Sequence, residues 1–254
     1  WMMAPQGPGK PCKAVPPGKS SLQEARAQSV GSQSKCCKAK RAAGMPPRDI
    51  IYVNGINTDR AAHCFTLNAI AAQTCGRVVG VYNATEGMPK DALQTGQDGR
   101  NPAVDTMARQ IGSALRAGEK PEIWAHSQGG AVASLALFEA KQDRMIATGN
   151  PNPLAGMKVK SFGSASPKWT DGPRYEHYVH VDDATPSTFG LGHSGAGDAK
   201  NAGAGARVIR FSGDPTGDKF TVPPRTGWAP TMTSNHGIEA TYLKMEKQTN
   251  GGCP

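Results

Sequence analysis

The stretch Pro121-Glu-Ile-Trp-Ala-His-Ser127-Gln-Gly-Gly-Ala-Val-Ala-Ser-Leu-Ala-Leu-Phe138 decides the reading of this chain. Residues 121–126 are a short apolar run behind a proline, which predicts a buried strand. Residues 128–141 predict a helix, with Val132, Leu135 and Leu137 as apolar positions. Ser127 falls on the turn between them, where its hydroxyl would stand above the end of a sheet. Such a turn needs small residues two before and two after the serine, because the strand and helix backbones nearly touch. Ala125 and Gly129 meet that requirement. The Gln128 amide opens the helix, where first-turn N–H groups have no intrahelical acceptor and can meet a developing oxyanion. The plainer reading is a glycine-rich turn carrying an idle serine.

The neighbouring elements extend the same theme. Strands are predicted at 48–55, 77–82, 157–163, 176–181 and 206–211, and helices at 60–75, 102–118 and 237–247. Short apolar strands alternating with helices predict an α/β fold, a mostly parallel sheet flanked by helices. Ligands in such sheets bind beyond the carboxyl ends of the strands, and the candidate chemistry falls at those ends. Gly195-Ala-Gly and Gly203-Ala-Gly lie in a loop rather than between a strand and a helix, which speaks against a dinucleotide site.

Upstream, residues 1–47 read as a basic Pro/Gly/Lys-rich extension, and 48–254 as the main domain that carries the candidate chemistry. Ser21 and Glu24 make a capping box, and 21–43 can form a polar, basic helix without a clear apolar face. The net charge of +9 is uneven. Residues 1–49 hold nine basic and two acidic side chains, whereas the remainder holds twenty and eighteen. The core is therefore nearly neutral, which argues against a nucleic-acid partner, while the tail suits a solvated linker or an anionic membrane surface. No apolar run reaches the roughly 18 residues of a membrane span, and no signal peptide is visible. Trp1 ahead of Met2 and Met3 suggests an excised fragment. Six cysteines show no Cys-x-x-Cys or Cys/His ligand spacing, so a metal is not expected. Their even number permits disulfides and an oxidising site of action, with Cys64–Cys75 as one guess, or six reduced thiols in a cytoplasmic protein.

His126-Ser127-Gln-Gly-Gly130 resembles the nucleophile elbow of α/β-hydrolases, and of lipases in particular, with Ala125 in place of the usual glycine. The predicted strand leading into Asp182-Asp183-Ala-Thr-Pro186 resembles the acid turn of class 3 lipases and related bacterial lipase-like effectors. The resemblance implies Asp183, three before the proline, as the acid, with Asp182 as the alternative. It also implies a base after the last strand. His236 is the histidine found there, and His193 in Gly192-His-Ser-Gly is the second candidate. His126 is given no chemistry. The second oxyanion donor belongs in the loop after the first core strand, Asn54-Gly55-Ile56-Asn57, where the Ile56 amide is the candidate beside that of Gln128.

The resemblance covers roughly 48–248 in order of elements. It implies a serine lipase or phospholipase that needs no cofactor, with a lid among 84–101, 187–205 and 213–235. A basic front ahead of a lipase-like domain also resembles a toxin domain of a type VI secretion effector. Such a domain acts in a target-cell periplasm or at a membrane surface, with an immunity protein or secretion carrier as partner. The alternatives are a soluble-ester esterase or thioesterase, and a hydrolase fold used only for binding.

Overall fold

A computed structural model describes residues 21–46, 48–84, 101–191, 200–213 and 236–253. Seven strands form one sheet: β1 (Val30–Gly31), β2 (Asp49–Val53), β3 (Arg77–Val81), β4 (Glu122–His126), β5 (Lys158–Phe162), β6 (Arg174–His180) and β7 (Arg207–Phe211). Their spatial order is β1-β3-β2-β4-β5-β6-β7. Every neighbouring pair is parallel except β1 with β3. This is the mostly parallel, α/β-hydrolase-like arrangement that the sequence predicts.

The helices are α1 (Leu22–Arg26), α2 (Lys35–Ala42), α3 (Arg60–Thr74), α4 (Pro102–Arg116), α5 (Gly129–Thr148) and α6 (Ala184–Phe189). A π-helical turn, Ile238–Tyr242, leads into α7 (Leu243–Asn250). Both faces of the sheet are covered, which explains why the strands read as apolar runs rather than alternating ones. On β2, Ile51 and Val53 join α1, α4 and α5 in one core. Ile50 and Tyr52 join α3 and the C-terminal helix in the other.

The amino-terminal region departs from expectation. Residues 21–43 form two short helices with a strand between them, not one helix. Gly31 interrupts the helical pattern, and Val30 pairs with Val78 at the edge of the sheet. Leu22 and Ala25 lie in the same core as β2, α4 and α5, so this segment packs onto the main fold rather than standing apart as an extension. Residues 1–20 lie outside the described residues.

The cysteines also correct the sequence reading. Cys75 pairs with Cys37, not with Cys64, and Cys36 pairs with Cys253. Cys64 is disulfide-bonded as well. The two resolved bridges join α2 to the end of α3 and to the chain just after α7. The predicted lids lie largely outside the described residues, as does His193.

Candidate active site

Ser127 sits between β4 and α5 with φ of 56°, a left-handed conformation that a non-glycine residue adopts at a cost. Three backbone bonds hold it there. Its N–H donates to Phe162 O at 3.0 Å, and its carbonyl accepts from Gly130 N and Ala165 N at 2.9 Å each. The small-residue requirement has a direct cause. A Cβ on Gly129 would lie 2.6 Å from the carbonyl oxygens of Val53 and Asn54. A Cβ on Gly55 would lie 2.6 Å from Ser127 Cβ and 3.1 Å from its Oγ. The loop after β2 therefore passes immediately beside the serine.

His236 lies between Ser127 and Asp183. Its Nδ1 is 2.7 Å from Asp183 Oδ2, and its Nε2 is 2.7 Å from Ser127 Oγ. A carboxylate only accepts, so Nδ1 carries the proton and Nε2 is left as the acceptor for the serine hydroxyl. Asp183 is 2% exposed. It caps α6, and its Oδ1 accepts from Thr185 N at 2.9 Å. Its neighbour Asp182 is exposed, with its backbone N–H on His180 Nδ1. Of the two aspartates, Asp183 is the one that meets the histidine.

Two side chains that sequence reasoning set aside or passed over complete the arrangement. Tyr242 donates its hydroxyl hydrogen to Asp183 Oδ2, the oxygen that also accepts from His236. Burial and the Asp183 charge raise the Tyr242 pKa well above its ordinary value, so the hydroxyl remains a donor. A Cβ on Gly163 would lie 2.7 Å from both Asp183 Oδ2 and the Tyr242 oxygen, so only glycine leaves room for this bond. His126 donates from Nε2 to the backbone carbonyl of His236 at 2.8 Å, and the two rings lie 4.8 Å apart. Burial first, and then the proximity of His236, lower the His126 pKa to about 3, so it stays neutral. Tyr242 could have been suspected from its position, six residues beyond His236 in the helical segment that follows it. The role of His126 follows from a backbone contact that no side-chain pattern reveals.

The loop after β2 is tied to the elbow by amides. Asn54 donates from Nδ2 to Asn83 O at 3.0 Å and to Gly55 O at 2.8 Å, and its Oδ1 accepts from Asn83 N at 2.9 Å. Asn83 Nδ2 donates to Gln128 Oε1 at 2.9 Å, and Asn101 reaches Asn83 Oδ1 at 3.2 Å. Asn54 is fully buried, so each of these bonds also satisfies a group that would otherwise be costly. Gly55 and Ile56 are thereby fixed relative to Ser127 and Gln128, and Asn57 turns the chain away with φ of 56°.

No protein-family model matches this chain, and no curated protein matches it. Among solved structures, the chain is similar to the apo form of Thermogutta terrifontis esterase 2, at 13% identity and a TM-score of 0.44. The similarity spans 88% of this chain and 89% of that one. At that distance it does not bear on chemistry, which rests on the geometry above.

Proposed function

We propose that the chain is a serine hydrolase that cleaves carboxylic esters of lipids through an acyl–Ser127 intermediate. The observation that carries this reading is the continuous relay from Ser127 Oγ to His236 to Asp183, with both links at 2.7 Å and the serine on a left-handed turn. As Ser127 Oγ bonds to the ester carbonyl carbon, its proton passes to His236 Nε2, and Asp183 stabilises the resulting imidazolium. We assign the amides of Ile56 and Gln128 as the donors to the developing oxyanion, each such donor being worth ~3 kcal/mol. Collapse breaks the bond to the leaving oxygen, which takes the proton from His236. Water, deprotonated by the same nitrogen, then releases the acid and restores Ser127.

The finer assignment, a phospholipase delivered as an antibacterial effector, is part of the same proposal. The absence of free cysteines among the described residues supports an oxidising site of action such as a periplasm.

The test is product release from mixed phospholipid vesicles and from a short-chain soluble ester, for the parent and for Ser127→Ala. Vesicle hydrolysis by the parent, reduced roughly 10⁴-fold or more in Ser127→Ala, is expected. Hydrolysis confined to the soluble ester would replace the lipid reading with an esterase one. Fluorophosphonate labelling that persists in Ser127→Ala would overturn the assignment of the nucleophile.

A further inference from the structure

The outer side of α5 breaks the rule that a surface helix turns its apolar stripe inward. Its sheet-facing side is already complete, with Val132, Ala133, Ala136, Leu137 and Ala140 buried. Yet Leu135 and Phe138, three residues apart on the outer side, are 39% and 51% exposed. They line a groove of about 540 Å³ between α5 and the segment 166–171. Trp169 closes the groove. Its indole nitrogen is buried and has no hydrogen-bond partner among the described residues.

The charge around the groove is one-sided. Lys141, Lys168 and Lys200 line it against a single acid, Asp171. That carboxylate is engaged by the Ala204 N–H at 2.7 Å, and Lys141 Nζ holds the Asp171 carbonyl at 2.9 Å. Exposed apolar side chains within a margin of lysines suit a surface that is anionic outside and apolar beneath, as a lipid interface is. A second copy of this chain fits poorly, because a two-fold contact would bring the lysines of one groove against those of the other.

We infer that this groove is a docking surface for anionic phospholipid bilayers, with Leu135 and Phe138 entering the acyl layer and Lys141, Lys168 and Lys200 meeting the headgroups. The inference deepens the lipid-hydrolase reading by naming the face that meets the substrate's bilayer, and it rests on that reading for the kind of interface. The groove is well placed for this. Ala131, at its near end, is only four residues beyond Ser127, so docking here would bring the bilayer close to the elbow.

The test is sedimentation with vesicles of phosphatidylcholine alone and of phosphatidylcholine with phosphatidylglycerol, using the full chain carrying Ser127→Ala. Hydrolysis plays no part in that measurement, so failure to dock and failure to hydrolyse are read separately. Binding is expected to require the anionic lipid and to weaken as salt rises. Lys168→Gln and Lys200→Gln should each weaken it roughly fivefold, following from ~1 kcal/mol per cation near such a surface. Phe138→Asp should weaken it about tenfold or more. All three side chains are solvent-exposed, so the melting temperature should be unchanged. With Ser127 restored, the same variants should keep their turnover of a short-chain soluble ester.

Several results would overturn the inference: no binding by the parent, equal binding to both vesicle types, or unchanged binding by the variants. The third would assign vesicle attachment to the basic segment at 1–20, which the substitutions leave intact. A parent that self-associates, with Phe138→Asp monomeric, would overturn it in favour of a contact between copies.

Discussion

At Asp183 three hydrogen bonds converge, from His236, Tyr242 and Thr185, on a carboxylate that is 2% exposed. Replacing it with Asn should swap an acceptor for an amide able to donate, favour the wrong imidazole tautomer, and lower kcat about 10⁴-fold. Asp182→Asn, one residue away and exposed, should leave kcat within about twofold, since it changes only a solvated charge. Equal losses in the two variants would contradict the assignment of the acid. Tyr242→Phe probes a subtler effect. Hydrogen bonds to charged groups are worth ~1.5–3 kcal/mol, so losing this one should lower kcat/KM roughly tenfold. The melting temperature should stay at the parent's level beside that loss. A loss of activity matched by a fall in melting temperature would make Tyr242 purely structural. Of these residues, Ser127 and His236 were legible as types in sequence order. Asp183 was legible only as one of two. The support from Tyr242 and His126 was not legible, because it depends on where a later helix lands.

At the level of elements, local chemistry predicted most boundaries and tertiary pairing accounts for the misses. The elbow strand and the helices at 60–74 and 102–116 announce themselves through apolar periodicity, and in the structure Asp59 and Asn101 cap the two helices, with Pro102 opening the second. Helix α5 runs to Thr148, seven residues past the expected end at 141. Its last two turns bury no side chain, Ile146 being 84% exposed, and the stop is set by Gly149 at φ 69° rather than by packing. Strand β1 has two residues and exists only because β3 offers an edge. The final segment is the more consequential case. A continuous helix was expected over 237–247, and a π-helical turn opens it instead. That turn starts two residues after His236 and carries Tyr242 to the acid. The segment beyond Tyr242 is anchored by several contacts, two of which matter here. Gln73 Nε2 donates to Leu243 O at 3.0 Å, and the Cys36–Cys253 bridge fastens the chain end to α2. Replacing Cys36 and Cys253 with Ser opens a loop of 217 residues. It should cost ~2–5 kcal/mol. Because the freed helix bears Tyr242, activity should fall at temperatures below the new melting transition. A lower melting temperature with full activity up to the transition would detach the bridge from the site.

The whole molecule depends on keeping several histidines neutral inside it. His63, His126 and His177 are buried, and burial lowers their pKa values to about 4, about 3 and about 4. In the unfolded chain each titrates near ~6.5. As pH falls from there toward 4, the unfolded state takes up protons that the folded state refuses. Stability is therefore complete above about pH 6.5 and is lost below it, each such proton steepening the loss by ~1.4 kcal/mol per pH unit. Asp49 and Glu176 add to the loss only at lower pH. Burial opposes their charge, but hydrogen bonds from Arg77 and Arg26 to Asp49, and the Lys160 charge and its hydrogen bond at Glu176, hold both pKa values below the ordinary range. His177 has partners for both nitrogens, Ser161 Oγ at 2.7 Å and Ala202 O at 2.9 Å. His126 is bonded to the His236 carbonyl. His63 differs. It is stacked on Tyr52 and edged by Tyr82, and neither of its ring nitrogens has a partner among the described residues. His63→Phe keeps a ring between the tyrosines and removes both a titrating group and two unsatisfied buried atoms. Thermal melts across pH 4–8 should show the parent level above pH 7 and falling steeply below 6.5. The variant should be at least as stable at pH 7 and lose stability less steeply on acidification, by about one proton's worth, ~1.4 kcal/mol per pH unit. An acid slope identical to the parent's would mean that His63 is already protonated in the folded protein, and would remove it from the set of groups that set the acid limit.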